Sequence, residues 1–160
     1  MRLSAAEAYE KYADRVFGAA FSVCRDRADA DDVTQDTFVR YLDRDRDWRD
    51  EEHLKAWLLR VAVNRARDLT RAFWRRNRVP WEDTMAELSF AEPADRELFG
   101  AVMGLPEKYR VVIHLFYYED YGVRDIAALL GLREGTVKSR LSRGRTLLKN
   151  ILMEDWNDDE

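Results

Sequence analysis

The sequence predicts an all-α protein: two small helical domains joined by an acidic linker, the second ending in a helix-turn-helix. Three observations carry that prediction. Seven glycines and three prolines among 160 residues leave few helix breakers. Apolar residues recur at i, i+3, i+4 and i+7 over most of the chain, the period of a helix with one buried face. Between Pro80 and Pro93 that period lapses and acids dominate, which divides the chain in two. The expected boundaries are 1–76, a linker over 77–93, 94–153, and an acidic, frayed tail over 154–160.

The first domain begins with Ala13, Val16, Phe17, Ala20, Phe21 and Cys24 on one helical face. Cys24 lies on that face and reads as a small core residue. A second helix, about Ala30 to Leu42, turns Val33, Thr37, Phe38, Tyr41 and Leu42 inward. The segment DRDRDWRDEE (43–52) is charged except for Trp48 and reads as a loop. A third helix, about His53 to Arg76, buries Leu54, Trp57, Leu58, Val61 and Leu69. In the second domain a helix precedes Gly104 and another runs from about Pro106 to Tyr118. Proline suits a first helical turn, where its missing N–H costs nothing. VRDIAALL, GLREG and TVKSRLSRGRTLLKNIL then have helix-turn-helix proportions. Ala127 is small enough for a close helix crossing, and Gly131 suits a left-handed turn.

Composition excludes several classes. No apolar run approaches the roughly 20 residues of a membrane span, and the N-terminus has no signal-like apolar region. One cysteine excludes an internal disulfide and a cysteine-built metal site. A cytoplasmic protein without membrane insertion is the expectation. The formal net charge of −4 argues against a nucleic-acid partner, but the charge is segregated along the chain.

From Lys55 to Arg78 there are eight bases and one acid, Asp68. Arg60, Asn64, Arg67, Arg71 and Arg75 fall within roughly an 80° arc of the third helix. Such a stripe can follow a phosphate backbone while the Asn64 amide reaches a base edge. A second cluster, Lys138, Arg140, Arg143, Arg145 and Lys149, has no acid between Gly135 and Met153. Val137, Leu141, Gly144, Leu148 and Ile151 occupy the other side, as in a recognition helix that sits in a major groove. Asp26, Asp29, Asp31, Asp32 and Asp36 crowd the start of the second helix, where carboxylates complement the helix dipole. Asp32 and Asp36, one turn apart with Gln35 beside them, read as solvated, as a docking face for a basic partner, or as a Mg²⁺ pair. The last lacks further ligands at metal spacing, and neither a cofactor nor a metal is expected. His53 and His114 are single, far apart, and structural or surface residues.

Taken together, DADDVTQDTF (29–38), LKAWLLRVAVNRARDLTR (54–71) and REGTVKSRLSRGRTLL (133–148) resemble the extracytoplasmic-function sigma factors of bacterial RNA polymerase. The likeness covers about Tyr9 to Arg76 and Ala94 to Ile151. It implies a non-enzymatic subunit that binds core RNA polymerase, through its β and β′ subunits, and directs it to promoter DNA. Asp32, Gln35 and Asp36 match the block that docks on the β′ clamp helices. Arg60, Asn64 and Arg67, with Arg71 on the same stripe, match the helix at the −10 element; Trp48 and its loop match the loop that pockets a flipped base. Thr136, Lys138, Ser139, Ser142 and Arg143 match the −35 recognition helix, with Arg133 and Arg145 adding charge. The linker is expected to thread the polymerase's channels, its acids imitating nucleic acid. An anti-sigma protein that holds the two domains inactive is a further expected partner. Two residues depart from the family's pattern. Arg133 stands where a small N-capping residue is common. Gly144 stands where alanine is common, weakening the helix by up to about 1 kcal/mol. A stand-alone helix-turn-helix regulator is the alternative, and it leaves the Asp32 face and the Trp48 loop without work.

Overall fold

The computed structural model describes residues 1–44, 47–73 and 93–158, which form seven α-helices and no strand. They are α1 (Ala5–Cys24), α2 (Arg27–Leu42), α3 (Glu51–Phe73), α4 (Pro93–Met103), α5 (Glu107–Tyr117), α6 (Val123–Leu130) and α7 (Glu134–Asp158). The chain divides into two compact units, Met1–Arg78 and Val79–Glu160. Apart from Pro93, the expected linker lies outside the described residues, as does the Arg75 end of the basic stripe.

In the first unit each helix start has a side-chain cap. The Glu7 N–H donates to Ser4 Oγ (3.1 Å) while the Ser4 N–H donates to Glu7 Oε1 (3.4 Å), a capping box that starts α1 well before the apolar stripe. Asp26 Oδ1 accepts from the Asp29 N–H (2.9 Å) and Asp50 Oδ1 from the His53 N–H (2.8 Å), fixing the starts of α2 and α3. The three helices pack on one another around Val16, Phe21, Leu54, Leu58 and Leu59. Cys24 is buried in this core, and burial pushes its thiol up to about 12. Trp57, Val61 and Leu69 are only half-buried, and Leu59, Ala62, Val63 and Ala66 complete the inner face of α3 instead. Leu42, expected inward, is 67% exposed. It ends α2, about 100° round from Tyr41, which takes the inward place. Lys55, which opens the basic run of the sequence, is buried.

In the second unit Pro106 stands just before α5 rather than in its first turn; its carbonyl accepts from the Tyr109 and Arg110 N–H groups (both 3.0 Å). Gly131 adopts φ +67° at the end of α6, as the turn requires. The expected frayed tail is instead helical to Asp158: no glycine or proline interrupts residues 145–158.

Gly144 has a sharper role than a weak helix former. A Cβ placed there would lie 2.7 Å from Ile113 Cδ1 and 3.3 Å from Tyr109 Cβ. The bare backbone of α7 thus lets α5 cross in contact. Gly144→Val should therefore lower the unfolding free energy of the second unit by about 1–3 kcal/mol, the usual cost of overpacking. Urea denaturation of the full chain, followed by exchange protection of α5 amides, would register it. Unchanged protection would show that α5 and α7 separate without cost.

Candidate nucleic-acid and partner interfaces

On α3, Arg60, Asn64 and Arg71 are exposed and Arg67 is half-exposed. They lie on the side opposite the buried Leu58, Ala62 and Ala66. The structure therefore presents the described part of the stripe outward together, with the asparagine amide among guanidinium groups. Arg65 is different. Its Nε donates to Asp36 Oδ2 across the α2–α3 packing at 3.0 Å, with both side chains partly exposed.

That pair divides the expected acidic face. Asp32 and Gln35 are exposed on α2, whereas Asp36 is held by Arg65 and braces two helices. A partly exposed pair of this kind contributes about 0.2–1 kcal/mol, so a partner of higher charge density can compete for the carboxylate.

Trp48 departs from expectation. It is 2% exposed, with its ring stacked on Tyr41 (6.3 Å), tilted against Trp57 (5.4 Å) and edge-on to His53 (5.1 Å). The Trp48 backbone N–H donates to the Met1 carbonyl (3.1 Å), and the Met1 amine donates to the Trp48 carbonyl (3.0 Å). The Arg2–Asp47 ion pair (2.6 Å) and the bond from the Tyr41 hydroxyl to the Leu3 carbonyl (2.5 Å) extend the same seam. An indole this enclosed offers no face to a base. It anchors the loop, and its neighbours Asp47, Arg49 and Asp50 meet solvent. One large apolar side chain in a charged segment was the available signal for an anchor.

On α7 the recognition-helix arrangement is present. Val137, Leu141 and Gly144 are buried; Lys138, Ser139, Ser142, Arg143 and Arg145 are exposed, and Thr136 is half-exposed. Arg133 is exposed ahead of the helix, and its carbonyl accepts from the Val137 N–H (3.1 Å). Arg145 is set apart. Its Nε donates to the Tyr117 hydroxyl (2.7 Å), and its guanidinium lies 5.0 Å from the Phe116 ring. That places it about 200° around α7 from Arg143. A groove of about 360 Å³ opens on the Arg143 side, and Lys108 and Arg140 help line it. Arg140 belongs to the basic cluster read from the sequence, but Lys108 was not expected here: it belongs to another helix, 35 residues upstream of Arg143, and no spacing rule joins them.

These two units coincide with two family models. Residues 8–78 match sigma-70 region 2 and residues 95–148 match sigma-70 region 4. The chain is 34% identical to the ECF RNA polymerase sigma factor SigL of Mycobacterium tuberculosis, a match covering 91% of this chain and 87% of that one. The chain belongs to the ECF sigma factors. It is also 31% identical to SigE of Mycolicibacterium smegmatis over 91% of its own length, and it spans 60% of that longer relative. Among solved structures, CnrH in complex with the cytosolic domain of CnrY matches at 29% identity with a TM-score of 0.68, covering 94% of this sigma factor and 88% of CnrH. No helix among the described residues is long and apolar enough to cross a membrane.

Proposed function

We propose that this sigma factor is a non-enzymatic specificity subunit: it docks on core RNA polymerase through α2, opens the −10 element on the outer face of α3, and reads the −35 element with α7. The observation that carries the reading is the succession, on one chain, of an outward arginine–asparagine stripe and a basic outer face, without an acid between Gly135 and Met153, on a helix-turn-helix. Phosphate contacts from both faces supply salt-dependent affinity. Asn64, Thr136, Ser139 and Ser142 carry groups that discriminate base edges. Asp32 and Gln35 make the first contact with the polymerase, and Asp36 joins when Arg65 yields it. The Trp48 anchor holds the Asp47–Asp50 loop in place for an unstacked base. A protein that sequesters the free factor, of the anti-sigma kind, fits the same reading; that CnrH was solved with the cytosolic domain of CnrY supports such a partner.

The test is run-off transcription with core bacterial polymerase on fragmented genomic DNA from the source organism, followed by sequencing of RNA 5′ ends. New starts that share paired upstream elements are expected. Asn64→Ala should lower promoter opening about 10-fold or more, the cost of a lost bidentate base contact, while leaving polymerase binding intact. Asp32→Arg should lower polymerase binding itself, because it sets a base against a basic surface. Normal transcription by both variants would overturn these assignments.

A further inference from the structure

Resting on the α7–DNA reading above, we infer that the groove between the start of α5 and the first turns of α7, lined by the cations Lys108, Arg140 and Arg143, is a seat for a DNA backbone phosphate. Its lining includes Lys108 and Tyr109 from α5, and Thr136, Ser139, Arg140 and Arg143 from α7. Three cations and three hydroxyl-bearing residues share this lining, which includes no acid among the described residues. This is the donor set of an anion site. Being open at the surface, it suits a phosphate carried on a polymer.

The packing explains why the two helices share one groove. Tyr109 lies against Gly144, so the first turn of α5 is pinned to α7 at van der Waals distance. Lys108 is the preceding residue, and its ammonium sits 5.0 Å from the Tyr109 ring centre, a contact that holds the charge near the crossing. Around α7, Ser139 and Ser142 lie near the middle of the outer face. Lys138 and Arg140 lie on opposite flanks, about 200° apart. A helix lying in a major groove about 12 Å wide turns its middle to base edges and its flanks to the two phosphate strands. On the Arg140 flank, α5 adds Lys108, so that edge of the domain reaches beyond the recognition helix itself. The seat therefore fixes register on one strand and carries no sequence information.

The experiment uses the full chain assembled with core polymerase. Two labelled duplexes serve as probes, one carrying a promoter identified by the start-site sequencing and one with its −35 element scrambled, each titrated between 50 and 200 mM KCl. Lys108→Ala is expected to weaken binding to both duplexes by a similar factor, roughly 3- to 10-fold, and to lower the slope of log affinity against log salt by about 0.9, one phosphate contact. Lys108→Arg should restore both. Arg143→Ala, measured alongside, reports on the α7 reading itself. If Arg143→Ala weakens binding and Lys108→Ala changes neither affinity nor slope, the seat is wrong and the −35 reading stands. If neither variant changes binding, the α7 reading falls and takes the seat with it. A loss confined to the intact promoter would also overturn the seat, since it would make Lys108 a reader of bases. Lys108 is exposed, so thermal unfolding of the variant should match the parent, and a mismatch would overturn the assignment in favour of a packing role.

Discussion

Trp48→Ala will lower the unfolding free energy of the first unit by about 3–5 kcal/mol, the range for truncating a buried large aromatic side chain. Domains have about 5–15 kcal/mol in all, so this single change removes a large share. The ring is enclosed by Tyr41, His53 and Trp57, and its backbone joins the chain's first residue through two hydrogen bonds. Its removal therefore opens a cavity and also releases residues 1–3, where the Tyr41 hydroxyl holds the Leu3 carbonyl. Denaturant unfolding of the full chain by circular dichroism gives the magnitude, and amide exchange at residues 1–4 and 47–50 gives the location. Trp48→Phe keeps an aromatic ring in place and should cost well under half as much. The outcome that refutes the anchor is a variant with unchanged stability and a selective loss of promoter opening. That result would mean the indole leaves the core and contacts DNA.

The second large effect is acid destabilisation that is greater in the second unit, with His114 as its source. The side chain is buried in α5, stacked on Tyr118 at 5.2 Å, and neither ring nitrogen has a hydrogen-bond partner among the described residues. Burial disfavours the imidazolium and lowers its pKa from 6.5 to about 4. Between those values the unfolded chain binds a proton that the folded chain refuses. His114 is neutral in both states above about pH 6.5, so the penalty is absent there. It grows as the pH falls, reaching about 3 kcal/mol near pH 4. Exchange protection of the Ile113 and Leu115 amides should fall through that window while the Leu58 and Leu59 amides lose less. His114→Leu should remove the difference between the units. A variant with the same pH profile as the parent would assign the acid sensitivity to carboxylates instead.

The two predictions fall where sequence reading was weakest. Helix existence, order and most inward positions could be read from spacing, because a 3.6-residue period is a property of neighbouring positions. Val16, Phe21, Cys24, Leu54, Leu58, Val137 and Leu141 are all buried as their periodicity implied. The outward stripe of α3 and the outer face of α7 were legible for the same reason: each lies on one helix and is rich in bases, with Asp68 the one acid of the Lys55–Arg78 run and none between Gly135 and Met153. The family likeness was legible too, in three ordered blocks that the region 2 and region 4 models cover.

What spacing could not convey is which helices touch and where. Trp48 looked like a loop residue because its loop is charged, yet apolar partners on α2 and α3 take the ring out of water. Asp36 looked equivalent to Asp32 until α3 brought Arg65 beside it. Gly144 looked like a flaw in α7 until Ile113 and Tyr109 were found against it. That same crossing carries Lys108 to the recognition helix. The sequence by itself determined that this chain folds into helices, which faces carry charge, and to which family it belongs. The tertiary structure alone decided which of those charges are engaged with one another and which face outward. The physical reason is range: helical period and local charge are set within a few residues, whereas burial, ion pairing and steric fit depend on groups from distant parts of the chain meeting at contact distance.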